Sequence, residues 1–234
     1  MKEYQEHHML KKWKKKLLSF ALAFVMTAVI IPTLFATPAY AAEYKVSTWA
    51  ELSNAVTTAP TDGTAVTVQL AGNITAEAQL IINARTKVTL DLSGKTLNLN
   101  GHNIGVGGNV TFTIKDSASG GGTITGGSAE SGGCISSVPG DNAESYIYLE
   151  SGTIQNCTAT TTTWGGGAVY LNKHGRFIMD GGTIKDCTAE NIGGAVYVNS
   201  RSSFTMNGGT ITGCQAKTKW GGAVFVAETS ASVN

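Results

Sequence analysis

From residue 42 onward, the chain is poor in charge and carries no cluster of basic residues. This part contains 11 Lys and Arg against 14 Asp and Glu, a net charge of −3, whereas the whole chain has a net charge of +1. Proteins that bind nucleic acid or anionic membrane surfaces display basic patches. The sequence therefore predicts no nucleic-acid partner, and no membrane partner for this part of the chain.

Long helical patterns are also lacking in the second half of the chain, and proline is scarce, with 4 Pro against 29 Gly. In their place stand short runs of β-branched and aromatic residues, separated by Gly-Gly, Asn, Asp and Ser. Such a pattern predicts short strands joined by tight turns, in which glycine adopts backbone angles that other residues avoid.

The second half consists of one motif written four times between residues 121 and 226. Each copy contains a Gly-Thr-Ile segment and closes on a Gly-Gly pair followed by two small or apolar residues. The aligned glycines are Gly122, Gly152, Gly182 and Gly209, with spacings of 30, 30 and 27 residues. A repeat of this length is one supersecondary unit that must stack on its neighbours. We predict one coil per copy in a parallel β-helix, with coils about 4.8 Å apart.

These copies resemble the right-handed parallel β-helix repeats of bacterial surface proteins. The Gly-Gly-Ala-Val units at 166–169, 193–196 and 221–224, with the Phe-Thr-Met-Asn run at 204–207, are similar to the paired motifs of polymorphic outer-membrane-protein and adhesin repeats. The resemblance implies a right-handed coil, the pectate-lyase-like fold class and a passenger or adhesin-type role. The fold class that we predict is thus an all-β, right-handed parallel β-helix with a short N-terminal capping α-helix.

Residues 1–41 have the form of a secretory signal peptide. A basic cluster at 11–16 precedes an apolar run at 17–31, and Ala39 and Ala41 form a small-x-small cleavage site. We expect cleavage after Ala41, because the apolar run is short for a membrane span. The sequence thus predicts a secreted or cell-surface protein from a bacterium.

Residues 42–234 are predicted to form one continuous β-helix domain, with a cap near its start. The region 46–58 contains a capping box, Thr48 with Glu51, followed by apolar residues at helical spacing. A solenoid needs such a cap because its first coil otherwise exposes its interior. Strand-like runs follow at 66–70, 79–82, 88–92, 96–99 and 110–114.

The far end of the repeat array lacks a recognisable closing element. After residue 226 the next Gly-Gly-Thr-Ile segment is missing, as are a sorting motif and a second apolar run. We therefore expect the array to stop in mid-coil, which would leave strand edges unpaired.

Three of the 4 cysteines occupy the same position in successive copies, namely Cys157, Cys187 and Cys214. Their alignment predicts an inward column of free thiols that act as small apolar residues. One bridged pair is the alternative, since residues on adjacent coils fall within the Cα range of a disulfide. A zinc site is not expected, because three sulfurs in a row are not tetrahedral.

Glu150, Asp180 and Asn207 also share one position, two residues before the aligned glycine. Stacking would bring Glu150 and Asp180 within about 5 Å. Such a pair could hold a calcium ion, or act as the close carboxylates of a retaining glycosidase. Asp and Asn before Gly are also common turn residues, and this is the interpretation that we favour. We accordingly predict no catalytic residues, no required metal and no cofactor.

Aromatic residues form a third aligned set near the Gly-Gly-Ala-Val units. The candidates for ligand binding are Trp164, Tyr170, Tyr197, Trp220 and Phe225. If Val169 faces inward, Tyr170 next to it faces outward, and an outward row of rings could stack on sugars. The same rings could instead pack against one another and seal the coil.

From these patterns the predicted function is that of an adhesin-like or structural binding module, whose partner is a polysaccharide or a surface protein. The alternative is a polysaccharide lyase or glycoside hydrolase of the pectate-lyase-like class, with Glu150 and Asp180 as its catalytic pair. Fold alone does not decide between them.

Overall fold

The computed structural model of the chain describes residues 42–118, 120–140, 143–227 and 232–233. The predicted signal peptide and its cleavage site at Ala39 and Ala41 lie outside these residues. The described residues form one α-helix, α1, and the strands β1 to β24, numbered in chain order. Every strand pairing among them is parallel, and the strands belong to four sheets. The architecture is a parallel β-solenoid of about seven turns, as the repeats predicted.

The first sheet contains the opening strand of each coil. Its eight strands, in spatial order, are β1 (Ala42–Val46), β2 (Ala65–Leu70), β5 (Lys87–Asp91), β8 (Val110–Lys115), β12 (Ser145–Leu149), β16 (Gly175–Met179), β20 (Ser203–Met206) and β24 (Ser232–Val233). Apolar and polar residues alternate along these strands, so that one face of the sheet is buried inside the coil.

The second sheet contains the Thr-Ile segments. Its six strands are β3 (Ile74–Thr75), β6 (Thr96–Asn98), β9 (Thr123–Thr125), β13 (Thr153–Gln155), β17 (Thr183–Lys185) and β21 (Thr210–Thr212). Ile154 pairs with Ile184, and Ile184 with Ile211, so like residues form a column along the solenoid. The register confirms the alignment of the sequence copies.

The two remaining sheets complete each coil. The third has six strands, β4 (Leu80–Ile82), β7 (Ile104–Val106), β11 (Ile135–Ser137), β15 (Val169–Leu171), β19 (Val196–Val198) and β23 (Val224–Val226). The fourth has four short strands, β10 (Ser128–Ala129), β14 (Thr158–Ala159), β18 (Thr188–Ala189) and β22 (Gln215–Ala216). The predicted strand runs at 66–70, 79–82, 88–92, 96–99 and 110–114 are confirmed to within one residue at each end.

Helix α1 (Trp49–Thr57) covers the first coil, and its capping box is formed as predicted. The Thr48 hydroxyl accepts a hydrogen bond from the Glu51 backbone at 3.2 Å, and the Glu51 carboxylate accepts one from the Thr48 backbone at 3.2 Å. Trp49 and Leu52 are among its buried residues. Strand β1, which the sequence analysis did not predict, immediately precedes this helix in the chain and pairs with β2. Together α1 and β1 close the N-terminal end of the core.

The core is a single column of apolar side chains inside the coil, from Val46 to Phe204. Its burial weakens in the last described coil, where Ile211, Cys214, Val224 and Val226 are only partly buried. Their counterparts one coil earlier, for example Ile184 and Val196, are fully buried.

Among the described residues, no helix has both the length and the hydrophobicity that crossing a membrane requires.

Candidate functional site

An aromatic row runs along the outside of the third sheet. Tyr170, Tyr197 and Phe225 are stacked in register on β15, β19 and β23. Each of the two successive pairs has ring centroids 5.3 Å apart. These residues form a cluster separate from the interior core, which fits the prediction that Val169 faces inward and Tyr170 outward.

Two tryptophans lie against this row from the adjacent corner of the coil. The Trp164 ring is 6.4 Å from that of Tyr170 and 6.2 Å from that of Tyr197, and it meets Tyr197 edge-on. Trp220 stacks on Phe225 with centroids 6.3 Å apart. Such offset and edge-on contacts stabilise aromatic pairs beyond the area that they bury.

Exposure separates four of the five aromatic candidates into two groups, and the fifth, Phe225, is partly buried. Tyr170 and Tyr197 are 7% and 3% exposed, whereas Trp164 and Trp220 are 43% and 67% exposed. Burial raises the pKa of both tyrosines, and Asn199 donates a hydrogen bond to the Tyr170 hydroxyl at 3.2 Å. The tyrosines therefore pack under Trp164, and among the five candidates only the two tryptophans have rings with a large surface open to solvent.

Trp164 and Tyr170 also line a groove with a volume of about 400 Å³. The groove crosses four coils, and its described lining residues are Gln79, Asn103, Ala129, Glu130, Ser131, Ser136, Trp164 and Tyr170. It arises from a difference in corner length. Between the small strand and the Gly-Gly pair, the corner at 130–131 has two residues, whereas the corner at 160–165 in the next coil has six. The longer corner carries Trp164 and forms a wall above the shorter one.

One edge of the groove is built from side-chain amides. Gln79 donates a hydrogen bond to the Asn103 carbonyl oxygen at 2.6 Å, and Asn103 donates one to the Gly132 backbone at 3.2 Å. Asn103 is 6% exposed. A buried amide that is fixed on both sides keeps its neighbours in one orientation. The groove therefore combines an open indole ring with a rigid polar edge.

Glu130 supplies the only charge among the described lining residues. It is exposed at the two-residue corner, where its backbone oxygen accepts a hydrogen bond from Thr161 at 3.2 Å. At the same position two coils along, Glu190 is paired with Lys217 at 2.5 Å. The structure shows no such cationic partner for Glu130 within the described ranges. The groove thus has one negative charge, carried by a corner whose backbone is hydrogen-bonded to the next coil.

The sequence analysis named Trp164 and Tyr170, which line the groove, but it did not name the residues on the other side of the groove. Gln79 and Asn103 belong to early coils that do not share the repeated motif, and Glu130 lies in the first copy, which matches the other copies least well. No sequence signal marked them, since their proximity to Trp164 arises only from coil stacking.

The predicted acidic pair lies outside this groove. Glu150 and Asp180 are exposed at equivalent turns of adjacent coils, and Asn207 donates a hydrogen bond to the Asp180 carboxylate at 2.7 Å. Among the described residues, no group of three or more His, Cys, Asp or Glu is arranged to hold a metal ion. The contact with Asn207 is what a turn residue makes with its stacked neighbour. The calcium and glycosidase hypotheses stay predictions for this pair.

The cysteines form one row of free thiols inside the solenoid. Cys134, which occupies the alanine position of its Gly-Gly unit, contacts Cys157 across the coil interior, and Cys187 and Cys214 continue the row. The sequence missed Cys134 because it belongs to a different column. The thiols of Cys157, Cys187 and Cys214 donate hydrogen bonds to backbone oxygens at 3.2 to 3.4 Å.

Contacts between neighbouring thiols and burial raise the pKa of three of these cysteines, Cys157, Cys187 and Cys214. The thiol of Cys157, followed by burial, raises the pKa of Cys187 from its ordinary value of 9.0 to about 12. The same two causes raise the pKa of Cys157 and of Cys214, with Cys134 and Cys187 as the respective neighbours. A pKa raised by folding means that the Cys187 thiol stabilises the fold below pH 9.0, and that this contribution is lost as the pH rises from there through about 12.

We expect the four thiols of the native protein to resist alkylation at about pH 8, although an ordinary cysteine reacts there through its thiolate. With iodoacetamide and mass spectrometry, Cys214 should be modified slowly, because it alone is partly exposed. The other three should react only after unfolding in denaturant, which serves as the control. Rapid modification of native Cys187, or a disulfide that blocks two sites, would contradict the free-thiol interpretation.

Comparisons of the chain with protein-family models, with curated proteins and with solved structures find no match. The description of the chain as a parallel β-solenoid therefore rests on its strand register.

Proposed function

We propose that this protein is a secreted or cell-surface β-helix that acts as a non-enzymatic binding module for glycans, with the groove beside Trp164 as its site. The observation that carries the proposal is the open ring of Trp164 next to the fixed amides of Gln79 and Asn103. Sugar rings have an apolar face that stacks on indole and hydroxyls that bond to amides. Export, through the predicted signal peptide, is part of the same proposal.

Binding is favoured over glycoside hydrolysis by the number of carboxylates in the groove. Glycoside hydrolysis needs two carboxyl groups on either side of one bond. The described lining contains one, Glu130. The alternative pectate-lyase-like enzyme would have to work at Glu150 and Asp180, away from the aromatic surface. An adhesin-like role, as the repeat motifs imply, is consistent with a binding groove on the side of a rod.

We expect the purified protein to be retained on one or more members of a panel of immobilised plant, host and bacterial polysaccharides, without releasing products. Trp164→Ala should weaken that retention about tenfold or more, because it removes the exposed ring of the groove. Affinity electrophoresis would measure retention, and reducing-sugar and unsaturated-product assays would measure release, each with and without calcium.

Trp220→Ala is the matched control for this experiment. Trp220, like Trp164, packs against the aromatic row, and it is the more exposed of the two. It is not among the lining residues of the groove. Its replacement should leave retention unchanged. Equal losses of retention in the Trp164 and Trp220 variants would indicate that the whole aromatic row, and not the groove alone, binds the glycan. Product release that disappears in Asp180→Ala would support the enzyme alternative.

A further inference from the structure

We infer that the groove prefers glycans that carry free amino groups, and that it discriminates against uronic acids. This inference rests on the proposed function and specifies its substrate class. It starts from the charges of the site. Glu130 is the one ionisable acid among the described lining residues, and Lys and Arg are absent from that lining. Residues 42–234 as a whole carry a net charge of −3, so no general positive field offsets Glu130.

The position of Glu130 relative to Trp164 allows its charge and the indole ring to act on the same ligand. Glu130 lies on the short corner of one coil, and Thr161, three residues before Trp164, donates its backbone N–H to the Glu130 backbone oxygen. The carboxylate and the indole therefore belong to adjacent corners that are hydrogen-bonded to each other. An ammonium group placed in the groove gains the attraction of the carboxylate and the cation–π attraction of the indole face.

The solenoid contains an internal comparison for this carboxylate. Glu190 occupies the same column two coils along and is already paired with Lys217. Outside the groove, Lys217 thus neutralises the carboxylate of Glu190. The carboxylate of Glu130 instead lies beside the proposed ligand site. A sugar ammonium at Glu130 would take the place that the Lys217 ammonium occupies at Glu190.

The polar edge explains why the ligand should be a sugar and not a simple amine. Gln79, Asn103, Ser131 and Ser136, whose side chains carry amides or hydroxyls, are also among the residues that line the groove. These groups bond to hydroxyls, which an alkyl amine lacks. A uronic acid would satisfy the same groups but would bring a second negative charge towards Glu130, which costs binding energy.

The test compares oligosaccharides of equal length that carry positive charge, no charge or negative charge. Isothermal titration would measure the affinities of glucosamine, N-acetylglucosamine and galacturonic acid oligomers at low salt and at about pH 5.5, where the sugar amine is protonated and an ordinary carboxyl group is ionised. We expect the glucosamine oligomer to bind about five- to tenfold more tightly than its acetylated counterpart, and the galacturonate to bind most weakly. The preference should shrink as salt is added, since the carboxylate is exposed.

Glu130→Gln and Glu190→Gln form a matched pair of variants. Glu130→Gln keeps the size and hydrogen-bonding capacity of the side chain, so it should abolish the preference while binding of the acetylated oligomer persists. Glu190→Gln should leave the preference unchanged. Circular dichroism would confirm that both variants are folded.

The outcomes distinguish this inference from the proposed function. If the acetylated oligomer binds and the amino form binds no better, or if Glu130→Gln keeps the preference, the inference is wrong and glycan binding stands. Tightest binding of galacturonate would also overturn the inference. If the protein binds none of these oligomers and no glycan of the wider panel, both proposals fall together.

Discussion

Replacing Gly167 by alanine is expected to prevent the protein from folding, with a loss of more than about 4 kcal/mol in the free energy of unfolding. A Cβ atom at this position would overlap the carbonyl oxygen of Gly194 on the next coil and would lie 2.7 Å from the backbone nitrogen of Thr188. Both obstacles are backbone atoms in the stacked sheets, which cannot shift without breaking the register. Thermal and chemical unfolding followed by circular dichroism would measure the effect.

The solenoid supplies a control for this prediction in Gly222, which occupies the same place in the last described coil. A Cβ atom there would meet no described atom within 4 Å, and the backbone of Gly222 has no positive φ angle. Gly222→Ala should therefore fold with little change in stability. If Gly167→Ala also folded normally, coils 4.8 Å apart would be the wrong description of this part of the chain.

Phe177→Ala is expected to cost about 3–5 kcal/mol in the free energy of unfolding, the second largest effect that we predict. Phe177 is fully buried inside the coil, where its ring stacks on that of Phe204 with centroids 5.2 Å apart. Removing the ring leaves a cavity that the rigid sheets cannot close. Urea-induced unfolding would measure the change.

The neighbouring residue on the same strand is the control for Phe177. Ile178 lies on the other face of β16 and is only partly buried. Ile178→Ala should therefore cost less than about 1 kcal/mol. Equal losses for the two variants would contradict the assignment of inward and outward faces in the first sheet.

The parts of the fold that sequence reasoning predicted are those that stacking makes periodic. A residue such as Ile184 pairs with Ile154 and Ile211, so each copy shows the same letter at the same place. The cap was predictable for a different reason, because the capping box of Thr48 and Glu51 is a local signal. Strand β1 carries no such signal, and its existence depends on its pairing with β2.

The parts of the site that were missed depend on contacts between different columns. Cys134 joins the thiol row across the interior, and Glu130 approaches the corner of Trp164 from another coil. Alignment places residues along the solenoid axis but says nothing about distances across it. The burial of Tyr170 was left open for the same reason, since it depends on how the Trp164 corner folds back over the row.

Residues that are repeated between copies and residues that differ between copies therefore have different roles in the candidate groove. The repeated letters hold the register, and they include the glycines and isoleucines that any stacked coil requires. The residues that differ between copies, among them Trp164 and Glu130, give one stretch of the surface its character. Among repeat proteins of this kind, binding candidates are better sought where the copies disagree.

The corner that carries Trp164 has a further consequence for engineering. Between the small strand and the Gly-Gly pair, the four copies have two, six, three and four residues, while the strands on either side keep one register. This corner thus absorbs changes in length that the sheets cannot. Foreign peptides inserted at 162–163 or at 217–219, where the corners are exposed, should be displayed on the same face of the solenoid, which would make it a scaffold for presenting epitopes at set intervals.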